Sequence, residues 1–264
     1  MITSKDNQLI KYVKSLSQKK YREKNLEYIV EGSKMVMEAI DNNEDISKII
    51  VCDEIISSLD NGENINKILN QSKLKNKIEY VNEKIFEYIS DTVTPQGIIA
   101  IVKQKRIIDK EYSDIIFALD DLQDPGNLGT IIRTLDAAGY KDLILSNGTA
   151  EAYNPKVVRS TMGAIFRLKL HINTNLEQKL IELKSKGYKV VITSLETNNF
   201  YYDVNFTEKL VIVIGNESKG VSKEIQNLAD VKIKIPMIGK TESLNAGVAC
   251  SIIAYEGVRQ KFAR

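Results

Sequence analysis

Six short apolar runs in the carboxyl-terminal half of this 264-residue chain constrain its fold more than any other feature. DIIFALDDL, DLILS, FRLKLHI, YKVVITSL, KLVIVIG and VKIKIP read as strands. Several are almost continuously apolar, the pattern of strands covered on both faces. Helix-like segments lie between most of them: NLGTIIRTLDAAG, NPKVVRSTMG, NLEQKLIELKSKG and VSKEIQNLA. SLNAGVACSIIAYEGVRQKF then closes the chain as a long helix. Alternation of this kind gives a parallel α/β sheet, whose ligand site lies at the carboxyl ends of the strands.

The amino-terminal half alternates as well. Residues 1–24 carry seven lysines and arginines against two acids, and Leu9, Tyr12, Val13 and Leu16 recur at helical spacing. Such a segment is either a solvated helix or one that faces a polyanion. EYIVEG follows as a strand, with Ser33 placed to cap SKMVMEAIDNN. KIIVCD, IEYV and QGIIAIVKQK read as further strands, INKILNQSKL and EKIFEYIS as helices, the latter capped by Asn82. The polar stretch KQKRIIDKEYSD is the best linker, which puts a domain boundary near 106–113.

The scarce residues exclude whole classes of chemistry. Cys52 and Cys250 are the only cysteines and stand far apart, so there is no disulfide framework and no CxxC site. His171 is the sole histidine, which rules out a histidine-rich metal site and leaves a Ser-His-Asp triad unsupported. Its place in FRLKLHI suits an edge or core histidine. A net charge of +2 excludes a polybasic protein but not a local basic face. No apolar run reaches the ~18–20 residues of a membrane span, and MITSKDNQLIKYVKSL lacks the apolar core of a signal peptide. The expectation is a cytoplasmic chain. Arginine is used sparingly, yet three of seven fall between 133 and 167.

Glycine clusters where strands end, at DPGNLG, GNESKG and IPMIGKTESLN. The familiar nucleotide loops fail there. Gly239-Lys240-Thr241 would end a phosphate loop of the GxxxxGK[ST] type, but Lys234 stands where its leading glycine belongs. Gly215 and Gly220 have the right separation, but Val221 and Ser222 follow instead of Lys and Ser/Thr. No GxGxxG follows a strand.

Taken together the three glycine segments resemble the motifs of the SpoU/TrmH family of RNA ribose 2′-O-methyltransferases, in the SPOUT class. The first runs from Asp124-Pro125-Gly126 through Asn127 and Gly129 to Arg133. The second holds Gly215, Asn216, Glu217 and Gly220. The third runs from Ile235-Pro236-Met237 and Gly239 to Glu242-Ser243-Leu244-Asn245. LEYIVEGSKMVMEAI and TPQGIIAIV look like the small ribosomal-protein-L30e-like domain common in that family. The resemblance implies a mixed α/β chain: an L30e-like RNA substrate-binding domain over 1–108, then a trefoil-knotted SPOUT methyltransferase domain over 109–264. It also implies a homodimer formed through the catalytic domain and S-adenosyl-L-methionine as cofactor, with no metal and no membrane.

Carried over by position, Gly215, Ile235 and Leu244 resemble the residues whose backbones hold the cofactor, with Met237, Thr193 and Leu195 completing its pocket. Backbone groups can read an adenine edge, and glycine lets the chain come close. Arg133 resembles the family's catalytic arginine, gripping an RNA phosphate and setting the ribose hydroxyl. Asn127 then orients Arg133 or caps its helix. Glu217 contacts the hydroxyl or braces the motifs. Ser243 and Asn245 hold the cofactor loop and the ribose, or cap the last helix. Arg159, Lys19, Lys20 and Arg22 are candidate RNA contacts. Gly247 and Thr161 depart from the usual pattern without removing a proposed catalytic group.

The function these residues imply is methyl transfer to a ribose 2′-hydroxyl, in large-subunit (23S) ribosomal RNA ahead of tRNA because of the L30e-like domain. A non-catalytic RNA-binding assembly factor on the same fold ranks below it. A nucleotide-dependent small-molecule enzyme ranks last.

Overall fold

A computed structural model describes residues 1–263 except 59–64, 66–67, 70–73, 106 and 108–110. The expected helix INKILNQSKL and much of the expected boundary at 106–113 fall largely outside the described residues. In chain order the first elements are α1 (Gln8–Ser15), α2 (Lys19–Asn25), β1 (Glu27–Glu31), α3 (Ser33–Asp41), β2 (Ile46–Val51) and α4 (Asp53–Ser57). β3 (Ile78–Tyr80), α5 (Glu83–Ile89) and β4 (Ile98–Lys103) complete that half. Then come β5 (Ile115–Leu119), α6 (Pro125–Ala137), β6 (Asp142–Ser146), α7 (Pro155–Ser160), β7 (Lys169–Thr174) and α8 (Leu176–Ser185). β8 (Lys189–Thr193), β9 (Leu210–Ile214), α9 (Lys223–Leu228), β10 (Val231–Ile233) and α10 (Ala246–Phe262) follow.

These elements form two compact units. The first joins Met1–Arg106 with Tyr153–Phe166, and the second joins Ile107–Ala152 with Arg167–Arg264. The first unit has a four-stranded sheet in the order β1-β4-β2-β3, with β4 antiparallel to both neighbours and β3 parallel to β2. Asn7 caps α1 by accepting from the Leu9 N–H at 2.8 Å. That start aims Ile10, Val13 and Leu16 into a core with Ile50, Ile85, Phe86 and Ile99. Asn82 caps α5 as its sequence indicates, accepting from the Ile85 N–H at 3.0 Å.

Two expectations in this unit are corrected. Arg22 is only 2% exposed, and its guanidinium donates to the Leu16 carbonyl at 2.7 Å. It satisfies a helix-end carbonyl in the interior and is not available to an RNA phosphate. Ser33 is not a cap. Gly32, with φ +97°, takes the capping position, and the Ser33 N–H and hydroxyl both donate to Gln96 Oε1.

The stretch 153–166, which the sequence reading assigns to the second half, completes the first unit. The Tyr153 ring lies 4.5 Å from that of Tyr28. Val157, Val158, Ala164, Ile165 and Phe166 are buried. Lys105 donates to the Phe166 carbonyl at 2.8 Å and pairs at 2.5 Å with Glu44. Burial pushes the Glu44 carboxyl up, and Lys105 opposes the shift.

The second unit is the predicted parallel sheet, in the order β10-β8-β9-β5-β6-β7. Ile116, Ala118, Val190, Ile192, Val211 and Val213 meet Leu176, Leu180 and Leu183 of α8 on one face. Strands buried on both faces explain the continuous apolar runs. His171, on the edge strand β7, bonds Asp142 at 2.9 Å, and its ring lies 4.9 Å from that of Tyr112, tilted by 34°. Burial disfavours the Asp142 charge, but bonds from His171 and Ser113 outweigh it and hold the carboxyl below its usual range.

Candidate active site

The chain moves outward from β5 to β6 and β7, then places β8, β9 and β10 on the other side. The carboxyl ends of β5 and β9 therefore adjoin at the point where the winding direction changes, the usual seat of a ligand in such sheets. All three motifs leave the sheet at this end of the unit.

Asp124 caps α6, accepting from the Asn127 N–H at 2.7 Å, with Pro125 as the first helical residue. Asn127 is thus neither the cap nor hydrogen-bonded to Arg133, since its side chain has other partners. Its amide Nδ2 donates to Glu217 Oε1 at 2.9 Å, and its Oδ1 accepts from Asn245 Nδ2 at 2.8 Å. Glu217 also accepts from the backbone N–H groups of Asp124 at 3.0 Å and Gln123 at 3.1 Å. Asn245 Oδ1 caps α10 through Gly247 N at 2.9 Å and Val248 N at 3.2 Å.

One carboxylate fixes every orientation in this chain. Glu217 can only accept, so Asn127 must turn its NH₂ toward it and its oxygen toward Asn245. Burial raises the Glu217 pKa, but Asn127 and the backbone donors outweigh it and hold the carboxyl below its usual range. The polar chain Glu217–Asn127–Asn245 thereby ties the second, first and third motifs together. Glu217 also links the turn at Gln123 and Asp124 to Asn127.

The second motif is a tight turn. A Cβ on Gly215 would sit 2.3 Å from the Gly220 carbonyl carbon and the Val221 nitrogen, so no side chain fits. Asn216 and Gly220 exchange backbone bonds of 3.0 and 2.9 Å, and Gly220 has φ +68°. No role for the Asn216 side chain follows from the sequence. Its Oδ1 takes the Ser218 and Lys219 N–H groups, and its Nδ2 donates to the Asp121 carbonyl at 2.8 Å. Asp121 is itself left-handed, at φ +59°. In the sequence Asp124 and Asn216 stand only as members of their motifs, without these bonds, and Gln123 is not singled out.

The cofactor candidates gather on adjoining strand ends. Thr193 donates to the Val213 carbonyl of β9 at 3.4 Å, and the Ser194 N–H bonds the Ile233 carbonyl of β10 at 2.9 Å. Ile235, Met237 and Leu244 are half-buried in the loop after β10, and Leu195 is 63% exposed. Among the described residues, no hydrogen bond uses the backbone of 235–244. A Cβ at Gly239 would meet nothing within 4 Å. The loop thus has free backbone donors, free acceptors and open space, the means by which a chain can read a heterocycle edge. Ser243 is exposed and has no hydrogen bond to a described residue.

Arg133 is exposed on α6, one turn beyond Thr130, whose Cγ2 lies 3.3 Å from a Cβ built on Gly247 of α10. The neighbouring acid, Asp136, is taken by Arg167 at 2.9–3.1 Å. Arg133 makes no ion pair or hydrogen bond with a described residue, which leaves its guanidinium fork free on the exposed side of α6. Arg159 lies in the first unit, donating to Asp91 at 3.2 and 3.4 Å. Lys19 pairs with Glu23 at 3.6 Å, and Lys20 is exposed. Among the described residues, no His/Cys/Asp/Glu group could hold a metal and no helix is long and apolar enough to cross a membrane.

Comparison with known proteins agrees with this geometry. Residues 114–255 match the SpoU rRNA Methylase family, and residues 7–100 match the MRM3-like substrate binding domain. The 23S rRNA (guanosine(2553)-2′-O)-methyltransferase RlmP of Bacillus subtilis (strain 168) is 34% identical over 96% of this chain and 97% of its own. An rRNA methyltransferase from Sinorhizobium meliloti superposes with TM-score 0.84 at 30% identity, over 98% of this chain and 97% of that one. Its AdoMet-bound form gives 0.83 at 29% identity, over 98% and 97%. With the three motifs clasped at the switch point and both halves matched, the chain belongs to the SpoU rRNA methylase family.

Proposed function

We propose that this protein methylates a ribose 2′-hydroxyl of large-subunit ribosomal RNA, with S-adenosylmethionine as methyl donor. The observation that carries the reading is the Glu217–Asn127–Asn245 chain, which ties the three motifs together at the start of the helix that bears an unpaired Arg133. The donor set at 235–244 and the space at Gly239 fit an adenosine moiety. When bound, S-adenosylmethionine supplies an electrophilic methyl group.

The chain's own residues then align the reactants. Backbone groups of Gly215, Ile235 and Leu244 hold the nucleoside, with Thr193, Leu195 and Met237 around it. Arg133 grips the phosphate next to the reacting ribose, matching its planar fork to two oxygens. A guanidinium of pKa above ~12 is a poor proton acceptor, so alignment and charge stabilisation are its part.

Ribosomal RNA is favoured over tRNA by the substrate-binding match over 7–100 and by the kinship with RlmP. The test is transfer from labelled S-adenosylmethionine to unmodified ribosomal RNA and, separately, tRNA, followed by digestion and mass spectrometry. A 2′-O-methyl nucleoside in large-subunit RNA is expected. Label in tRNA alone overturns the substrate. Neither transfer nor cofactor binding overturns the enzymatic reading in favour of an assembly factor.

The same reading makes the chain a cytoplasmic homodimer. Val248, Tyr255 and Phe262 are exposed at seven-residue intervals on α10, an apolar stripe suited to a second copy. The Val248→Asp/Tyr255→Asp variant is expected to sediment as a monomer at micromolar concentration where the parent sediments as a dimer. A trefoil knot belongs to this reading too. The strand order supports it, since the chain reaches β8, returns to seat β9 between β8 and β5, then crosses back to β10.

A further inference from the structure

Tyr88 stands out on the surface of the first unit. It lies on α5, whose Ile85, Phe86 and Ile89 enter the core, yet it is 36% exposed. Two lysines from elsewhere in the chain converge on its ring: Lys5 Nζ is 4.3 Å from the centroid and Lys14 Nζ 5.2 Å. Neither forms an ion pair with a described residue, although Asp6 adjoins Lys5 and Glu83 and Glu87 are exposed on α5. Asp6 is taken by Lys11 at 2.8 Å. Solvated lysines repel and disperse. The ring offsets part of that repulsion by attracting both ammonium groups, and a nearby anion would relieve the rest.

We infer that Lys5, Lys14 and Tyr88 form a phosphate-binding station that docks the RNA on the first unit, an inference that rests on the RNA-methylating reading above. A phosphodiester carries two free oxygens that either ammonium group can hold as a point charge. Tyr88 is a positioning residue whose ring gathers the two lysines. Of the basic residues in 1–24, Lys5 and Lys14 meet at α5, whereas on α2 Arg22 is buried and Lys19 is paired. A phosphate contact carries no sequence information, so the station sets affinity and register while other contacts select the nucleotide.

The test is binding of an unmodified 23S rRNA transcript by the full chain across a salt series, followed by methyl transfer. Lys5→Gln/Lys14→Gln is expected to weaken binding about tenfold at ~0.1 M salt and to reduce the slope of log K against log salt by about 1 to 2. KM for RNA rises while kcat and cofactor affinity hold. Lys184→Gln/Lys186→Gln removes the same charge from lysines already paired with Asp230 and Glu182, and leaves the slope unchanged. Tyr88→Phe keeps the parent slope and Tyr88→Leu lowers it, a difference that loss of folding would not produce. Equal slopes for the Lys5/Lys14 variant and the parent overturn the inference. A parent that binds RNA with this slope dependence but transfers no methyl group upholds the station and sinks the enzymatic reading alone.

Discussion

Arg133→Ala is expected to lower single-turnover methyl transfer about 10²–10³-fold, the usual effect of removing one preorganised charge partner from a reacting centre. S-adenosylmethionine affinity and the unfolding midpoint should not change. The reason is local. Arg133 makes no hydrogen bond or ion pair with a described residue that its loss would break, because the nearby Asp136 is held by Arg167. A side chain free of internal partners contributes little to folding, and its removal is felt only when RNA is bound. Arg133→Lys should recover only a small part of the rate, since a point charge cannot span two phosphate oxygens. Calorimetric titration of the cofactor, run beside rapid-quench transfer, separates the two quantities. A rate within threefold of the parent would remove Arg133 from the reacting centre.

Asn127→Asp should have the largest effect on stability, and its pH dependence should run opposite to that of the parent. The new carboxylate replaces an amide that donates to Glu217 at 2.9 Å, so two acids would face each other in a site only 8% exposed at position 127. At neutral pH the loss should be about 2–3 kcal/mol, allowing for solvent around the exposed Glu217. In the parent the Glu217 pKa is lowered. Its contribution is therefore full above the unfolded value near 4.5 and fades as pH falls through the folded value. In the variant one of the paired acids has a raised pKa. Its share of stability is present below the unfolded value and lost as pH rises through the folded one. Urea unfolding between pH 4 and 8 should show the gap between the two proteins narrowing in acid. A constant gap would mean that the substitution acts through packing alone.

The strands were legible because both-face burial writes itself as continuous apolar runs, and Asn82 was legible because a cap acts over three residues. Arg22, Ser33 and Asn127 were not. In a basic segment a buried arginine has the same letters as a solvated one, and only the bend between α1 and α2 brings it onto the Leu16 carbonyl. Ser33 gave up its capping place because Gln96, distant in sequence, reaches its N–H. Asn127 read as a cap or as a partner of Arg133, but Asp124 holds the cap and Asn127 bridges Glu217 and Asn245. Resemblance placed these residues in the site. Their geometry distinguishes a brace from a cap.

The segment 153–166 has an evolutionary consequence. It is encoded within the methylase-like stretch but supplies buried side chains to the first unit. A recombination crossover at the linker would therefore yield a chimaera whose amino-terminal part lacks Tyr153, Val158 and Phe166 from its own interior. Moving the first unit of this chain intact requires two stretches of gene to travel together. Its two halves are not separable at a single crossover.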